Sequence, residues 1–134
     1  MLGSIGGVEA PAELRYSSDH EWVRIEGERA RVGITDFAQS ALGDVVFVDL
    51  PALGTVVEAG GHLGEVESTK SVSEVYAPVA GRVVEVNEAL ASAPEQLNRE
   101  PYGSGWLCVL EVGAEVDTSG LLDATAYEEL TAQP

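Results

Sequence analysis

Alternating apolar and polar residues predict strands along much of this chain. Residues 21–25 (Glu-Trp-Val-Arg-Ile) and 30–34 (Ala-Arg-Val-Gly-Ile) alternate in this way, and Glu26-Gly27-Glu28 separates them. Because glycine accepts the backbone angles of a tight turn, the pattern predicts an antiparallel hairpin. The same alternation predicts strands at residues 63–67 and 72–76, which are joined by small polar residues and one lysine.

Short helices are predicted where capping residues flank a suitable segment. Thr35 followed by Asp36 begins a helix over residues 35–42, and Gly43 ends it. Between residues 87 and 99, Pro94 lies where a first helical turn accepts proline, so a second short helix is expected there.

The C-terminal segment is predicted to form an amphipathic helix over residues 123–131. Leu122, Ala126 and Leu130 recur at every fourth position, which places them on one helical face. We expect this face to pack into the core rather than against a partner. Residues 106–112 are predicted to form the last strand, with Cys108 inside it as a buried structural thiol.

The middle of the chain contains an internal repeat. Residues 43–48 (Gly-Asp-Val-Val-Phe-Val) match residues 81–86 (Gly-Arg-Val-Val-Glu-Val) at an offset of 38, with the glycine and three valines shared. Two similar β units suggest a sheet structure with pseudo-twofold symmetry, and chance similarity between valine-rich strands is the alternative. The segment that contains the lysine lies between the two units, so a pseudo-twofold fold would present it as a projecting hairpin tip.

Length and composition indicate a single domain. At 134 residues with 45% hydrophobic content, the chain can bury a core, and we expect one domain over residues 13–134 after a disordered tail at residues 1–12. The tail lacks the charged start, apolar stretch or arginines of signal and transit sequences. A single cysteine allows no disulfide within the chain, and these features together predict a cytoplasmic bacterial protein.

The charge argues against two classes of partner. A formal net charge of −16 disfavours nucleic acid and anionic membranes, because both bind cationic surfaces. No apolar run approaches the roughly 20 residues that span a bilayer. His20 and His62 have no partner at metal-ligand spacing, and neither a phosphate loop nor a nucleophile elbow is visible. The sequence therefore predicts neither a metal site nor an enzyme.

Lys70 is the only lysine in the chain, and all other basic side chains apart from histidine are arginines. A lysine amine can be deprotonated and acylated, whereas guanidinium stays charged. Its neighbours at residues 68–71 are small and polar, while Glu67 and Glu74 keep the surroundings anionic. Lys70 is therefore either a covalent attachment point or a surface lysine paired with one of these glutamates, a pairing that contributes at most about 1 kcal/mol. The residues alone leave both interpretations open.

Several segments on either side of Lys70 carry a family resemblance. They include His20-Glu21-Trp22-Val23, Val32-Gly33-Ile34-Thr35-Asp36-Phe37-Ala38, Leu42-Gly43-Asp44-Val45-Val46-Phe47-Val48, Gly64-Glu65-Val66-Glu67-Ser68-Thr69-Lys70-Ser71-Val72-Ser73-Glu74, Asn98, Pro101-Tyr102-Gly103 and Leu121-Leu122-Asp123-Ala124. In these segments the chain resembles the H proteins of the glycine cleavage system, which are lipoyl carriers. The lysine hairpin alone also suits the lipoyl domains of 2-oxoacid dehydrogenases and, less well, biotinyl carriers. The His-Glu-Trp start and the C-terminal helical segment separate the H-protein pattern from those modules.

The resemblance implies a fold and an attachment site. The fold is mainly β, a flattened β sandwich of the lipoyl/biotinyl hybrid (barrel-sandwich) type with short helices at residues 35–42 and 123–131. Lipoate would be joined to Lys70 by an amide, giving an arm of about ten single bonds that reaches on the order of 10 Å.

The resemblance also implies roles for three carboxylates around the arm. Glu67 and Glu74 would take part in recognition, and Glu21 would form a wall of the cleft that holds the arm. Some family members have a histidine near that cleft, and the corresponding position here is Ala41.

The implied function is a shuttle that is not itself an enzyme. In the family, the lipoyl group accepts the aminomethyl group of glycine at a pyridoxal-phosphate-dependent glycine decarboxylase (P protein). A tetrahydrofolate-dependent aminomethyltransferase (T protein) then takes the one-carbon unit, and dihydrolipoyl dehydrogenase (L protein) reoxidises the dithiol. A lipoate ligase or lipoyltransferase is a further expected partner. The alternatives are a lipoyl donor that relays lipoate to other complexes and an unmodified binding module.

Overall fold

The structure, a computed structural model, describes residues 10–114 and 116–132. Most of the predicted N-terminal tail, residues 1–9, lies outside the described residues. Ala10 and Pro11, which that prediction included, pack against the domain. Ala10 contacts the cluster around Tyr16, whose hydroxyl donates a hydrogen bond of 2.5 Å to the Pro11 carbonyl oxygen.

Nine strands and four short helices make up the described part of the chain. In chain order they are β1 (Arg15–Tyr16), β2 (Glu21–Glu26), β3 (Arg29–Ile34), α1 (Asp36–Leu42), β4 (Val45–Asp49), β5 (Val56–Val57), β6 (His62–Ser68), β7 (Val72–Tyr76), β8 (Gly81–Val86), α2 (Ala89–Ser92), α3 (Gln96–Arg99), β9 (Cys108–Glu111) and α4 (Ala124–Thr131).

The strands form two antiparallel sheets. One has the order β1-β2-β3-β9-β8-β5, and the other has the order β4-β6-β7. Buried apolar residues of both sheets belong to one core cluster, to which Val32 and Val83 contribute from the larger sheet and Val48 and Val66 from the smaller. The prediction of a mainly β, flattened sandwich with short helices is confirmed.

Both predicted hairpins are present. β2 pairs with β3 from Glu21 opposite Ile34 to Glu26 opposite Arg29. β6 pairs with β7 up to Glu67 opposite Val72, so that Lys70 lies in the turn between them. The predicted strands at residues 63–67 and 72–76 therefore agree with the structure.

The internal repeat is a structural repeat. Its two copies are β4 and β8, and each strand contains a register irregularity, between Val45 and Phe47 in β4 and between Val83 and Glu85 in β8. These two irregularities are offset by the same 38 positions as the sequence match. The two strands belong to different sheets, one in each layer, as a pseudo-twofold arrangement requires. Chance similarity does not explain a shared bulge at a shared position.

Helix α1 agrees with the prediction, whereas the segment after β8 does not. The Thr35 hydroxyl caps α1 by accepting the Ala38 N–H, and Gly43 ends it with a positive φ of 85°. Residues 87–99 form two four-residue helices, α2 and α3, instead of one helix. Pro94 precedes Glu95, the N-cap of α3, so it lies just outside the helix rather than in its first turn.

The C-terminal helix is present, but its predicted buried face is only partly right, because Leu122 packs against the aromatic cluster and Leu130 does not. Asp123 caps α4, and the fully buried residue of this helix is Tyr127. Leu130 is 40% exposed. The Tyr127 ring stacks on Tyr16, with 4.7 Å between ring centroids, and this aromatic contact decides which side of α4 faces the domain.

Candidate functional site

The turn that carries Lys70 is stabilised by the side chain of Ser68. The Ser68 hydroxyl oxygen accepts hydrogen bonds from the main-chain N–H groups of Lys70 at 3.2 Å and Ser71 at 3.1 Å. The Ser68 N–H also donates to the Ser71 carbonyl oxygen at 2.8 Å. A serine that bonds to the backbone two and three residues ahead is a common turn-forming device. The small polar residues around Lys70 therefore give the tip a defined backbone.

A second set of contacts attaches the tip to the rest of the domain. The Thr69 N–H donates to the Asp44 carbonyl oxygen at 3.1 Å. On either side of Asp44, the Asn98 side chain donates to the Gly43 carbonyl oxygen at 2.8 Å and accepts the Val45 N–H at 2.9 Å. Asn98 therefore connects the hairpin tip, through residues 43–45, to helix α3.

The Lys70 side chain is exposed and extends along the surface toward Gly43. A Cβ atom added to Gly43 would lie 3.4 Å from Lys70 Cε. Lys70 forms no ion pair with any of the described residues, and its neighbours Glu67 and Glu74 are no exception. Glu74 instead accepts a hydrogen bond of 3.1 Å from the Tyr76 hydroxyl. The amine is therefore accessible and is not held by a surface salt bridge.

A cleft of about 280 Å³ opens beside the tip, between α1 and the start of β7. We call it the α1 cleft; its lining is Asp19, His20, Phe37, Ala38, Ala41, Leu42, Ser71, Val72 and Ser73. The wall formed by α1 is apolar, and the residues that follow Lys70 form the opposite side. Ala41 is part of this wall.

Glu21 lines a different cleft, of about 410 Å³, together with Asp19, Tyr76 and Asp117. Its side chain is buried, and its two carboxylate oxygens accept hydrogen bonds from the Ser17 hydroxyl at 2.6 Å and the Tyr76 N–H at 3.0 Å. Burial disfavours the charged form and raises the pKa of Glu21 to about 7. Asp19 lines both clefts, so Glu21 lies next to the α1 cleft without being part of its lining.

The surroundings of the two histidines differ. His20 Nδ1 lies 2.8 Å from the Tyr127 hydroxyl, and its ring stacks on Phe37 at 4.6 Å between centroids. Burial lowers the pKa of His20. His62 is exposed on β6. Within residues 10–114 and 116–132, no group of three or more potential ligand side chains is placed to hold a metal ion.

Cys108 is fully buried in β9, as predicted for a structural thiol. Burial raises its pKa to about 12, so the thiol stays protonated and unreactive at neutral pH.

The predicted site residues are distributed over three places. Lys70 lies at the tip, and Glu67 flanks it at the end of β6. Glu74 lies further along β7, and Glu21 lies in the neighbouring cleft. Sequence reasoning gave no role to Asn98 or Asp19. Asn98 was among the residues that carry the family resemblance, which is the one signal that pointed to it. Its hydrogen-bond partners lie 53 and 55 positions away in the sequence, so no local pattern could show its role.

The fold and the tip together define a carrier domain, a β scaffold that presents an exposed lysine amine on a hairpin tip. The sequence profile described as "Glycine cleavage H-protein" matches residues 14–133. The chain is 56% identical over 122 residues to the glycine cleavage system H protein of Nitratidesulfovibrio vulgaris, covering 91% of this chain and 94% of that protein. It is 52% identical over 123 residues to that of Bacillus subtilis, covering 92% and 97%. The crystal structure of a glycine cleavage system H protein from Mycobacterium marinum matches with a TM-score of 0.84 and 43% identity, covering 92% of this chain and 99% of that chain.

The chain belongs to the glycine cleavage H-protein family. It is accordingly a carrier protein of the glycine cleavage system and not itself an enzyme. Across the described residues, no helix is both long and apolar enough to cross a membrane.

Proposed function

We propose that this chain carries lipoate on Lys70 Nζ and shuttles the aminomethyl group of glycine. The donor is a pyridoxal-phosphate-dependent glycine decarboxylase (P protein), and the acceptor is a tetrahydrofolate-dependent aminomethyltransferase (T protein). Dihydrolipoyl dehydrogenase (L protein) restores the oxidised carrier, and a lipoate ligase or lipoyltransferase loads it. We place these encounters in the bacterial cytoplasm. The observation that carries the proposal is an exposed lysine, the only one in the chain, on a hairpin tip of a domain from this family.

The residues around the tip fit such a group. The Lys70 amine is accessible and has no carboxylate partner among the described residues that acylation would leave unpaired. The α1 cleft begins directly after Lys70 and offers an apolar wall from Phe37 to Leu42, which suits a hydrocarbon chain. When bound, lipoate supplies a disulfide that accepts a carbon group and is reduced in the process. Glu67 and Glu74 are proposed recognition residues, and Glu21, in the neighbouring cleft that shares Asp19 with the α1 cleft, is a proposed wall residue for the distal end of the arm.

The scaffold contributes position rather than chemistry. Because Ser68 and the Asp44 carbonyl hold the turn, the Lys70 backbone presents its side chain from a fixed place on the surface. Tethering a reactive group to a fixed point raises its effective concentration at each partner's active site. A fixed tip also lets one carrier meet several enzymes by short encounters.

Reconstitution tests this function. The lipoylated chain, mixed with the P, T and L proteins and tetrahydrofolate, should make CO2 release from glycine depend on its concentration, and Lys70→Arg should give no stimulation. If the lipoylated chain does not stimulate release but passes lipoate to a second lipoyl domain, the lipoyl-donor function replaces this one. An unmodified binding module would show neither activity.

A further inference from the structure

One face of the smaller sheet points away from the core and ends at the Lys70 turn. We call it the outer face; it consists of two cross-strand rows, Phe47, Glu67 and Val72 next to the turn, and Asp49, Glu65 and Glu74 one step further from it. Val48 and Val66, which lie between the two rows along their strands, are buried. Because side chains alternate across a strand, the two rows face outward together.

The row next to the turn exposes apolar side chains. Phe47 is 52% exposed and Val72 is 58% exposed, and they lie on either side of Glu67. Phe47 forms part of the irregularity in β4, beside the equally exposed Val46. A phenylalanine left half in water forgoes much of the stabilisation that its burial would contribute. Aromatic residues, phenylalanine among them, are enriched in protein interfaces.

Charge is segregated between the two sheets. The three strands of the smaller sheet contain no lysine or arginine, while its outer face has four carboxylates. Five of the six arginines lie on the larger sheet, at Arg15, Arg24, Arg29, Arg31 and Arg82. A partner that covers the outer face must therefore present basic groups around an apolar contact, because like charges across an interface are repulsive.

We propose that the outer face is the docking surface for the enzyme that acylates Lys70, and that this enzyme holds Phe47 in an apolar pocket with a basic rim. The inference rests on the proposed function, because it takes Lys70 as the site of acylation. It adds the residues that the acylating enzyme contacts and the chemistry of its complementary surface.

Proximity selects this partner among the enzymes of the system. Val72 is two residues and Glu67 three residues from Lys70, so any active site that receives the Lys70 amine covers the first row. Enzymes that act on the distal end of a lipoyl arm do not need this contact, because the arm separates their active sites from the sheet.

In the acylation step, Lys70 Nζ attacks the carbonyl carbon of an activated lipoyl donor such as an acyl adenylate. The amide C–N bond forms, the bond to the leaving group breaks, and the amine proton passes to solvent.

Acylation kinetics test the docking surface. The unlipoylated full chain is incubated with a bacterial lipoate ligase, lipoate and ATP, and intact mass gives initial rates at several chain concentrations. Phe47→Ala should lower kcat/KM about tenfold, chiefly through KM, because an interface anchor is lost while the reacting atoms are unchanged. Leu53→Ala is the matched control, since Leu53 is 63% exposed but lies beyond the far end of β4 from the turn. This control should react like the wild type.

A charge variant tests the rim independently. Asp49→Asn combined with Glu65→Gln should lower kcat/KM at low ionic strength and approach the wild-type value at high salt, since screening removes the lost attraction. Glu85→Gln combined with Glu88→Gln makes the same charge change away from the outer face and should have no such effect. Wild-type kcat/KM for Phe47→Ala or for the Asp49 and Glu65 variant would overturn the inference while leaving acylation at Lys70 intact. A wild-type chain that the ligase does not acylate would overturn the proposed function and this inference together.

Discussion

The side-chain amide of Asn98 donates a hydrogen bond of 2.8 Å to the main-chain carbonyl oxygen of Gly43. The same side chain accepts the Val45 N–H and donates to Gln39 Oε1, both at 2.9 Å. Asn98 thus holds both neighbours of Asp44, whose carbonyl oxygen receives the Thr69 N–H next to Lys70. Asn98 therefore supports the segment of the domain to which the hairpin tip is bonded.

Asn98→Ala should lower the free energy of unfolding by about 2–3 kcal/mol, because it leaves main-chain groups at Gly43 and Val45 without their partner. Urea denaturation measures the change. Ser92→Ala on α2 is the control, since the Ser92 hydroxyl donates an exposed hydrogen bond of 3.4 Å to the Ala89 carbonyl oxygen, and we expect it to stay within about 0.5 kcal/mol of the wild type. Equal stability of the two variants would contradict the role given to Asn98.

The pH dependence of stability should show the buried carboxyl of Glu21. Burial raises the pKa of Glu21 from 4.5 to about 7 in the folded state. The folded chain therefore binds the Glu21 proton more tightly than the unfolded chain does, and proton binding at Glu21 stabilises the fold. This contribution to stability is complete below pH 4.5 and is lost as the pH rises through 7. Between these limits the free energy of unfolding should fall by roughly 3 kcal/mol more in the wild type than in Glu21→Gln.

Urea denaturation at a series of pH values, run in parallel on the two proteins, gives this difference. Glu85→Gln, which removes an exposed carboxylate on β8, serves as a control and should follow the wild type. If the Glu21→Gln curve runs parallel to the wild-type curve, the carboxyl is not titrating in the folded protein as described.

Gly33→Ala should destabilise the domain through its cross-strand neighbour. Gly33 lies opposite Trp22, and a Cβ at this position would be 2.6 Å from atoms of the fully buried indole ring. The ring cannot move freely, because its Nε1–H donates to the Pro101 carbonyl oxygen at 2.9 Å. We expect a loss of about 1–3 kcal/mol in thermal or urea unfolding. Gly120→Ala, at an exposed glycine with no atom within 4 Å of the added carbon, should change little.

Tyr127→Phe should loosen the C-terminal helix. The Tyr127 hydroxyl lies 2.7 Å from the Thr35 hydroxyl, which caps α1, and 2.8 Å from His20 Nδ1. Removing it leaves buried polar atoms with fewer partners and should cost about 1–2 kcal/mol. Hydrogen exchange of α4 amides should accelerate in the same variant. Tyr76→Phe removes an exposed hydroxyl instead, and a comparable loss there would mean that the buried position of Tyr127 is not what matters.

Much of the fold follows from local patterns in the sequence. The β2–β3 hairpin alternates on both strands around Gly27, and α1 has its own cap in Thr35, so neighbouring residues specify both. The repeat between β4 and β8 was visible as four identical residues in six positions and proved to include a shared bulge. Lys70 was a candidate because it is the only lysine, and the family resemblance, rather than the count, favoured it as an attachment site.

Other features depend on contacts between distant parts of the chain. The bulge in β4 breaks the alternation at Val46, so the exposure of Phe47 could not be deduced from the pattern of that strand. In α4, stacking on Tyr16 turns Tyr127 inward and leaves Leu130 partly exposed, against the expectation from the leucine spacing. Asn98 acts across the fold in the same way. In these three cases, contacts between residues far apart in the sequence determine the structure, and the local pattern does not show them.

We propose Lys70 as the single point of lipoyl attachment, and intact mass measures this attachment directly. After incubation with lipoate, ATP and a lipoate ligase, the wild-type chain should gain the mass of one lipoyl group, and peptide mapping should place it on Lys70. Lys70→Arg should gain nothing under the same conditions. An unmodified wild-type chain, or a lipoyl group on the Lys70→Arg variant, would contradict the account.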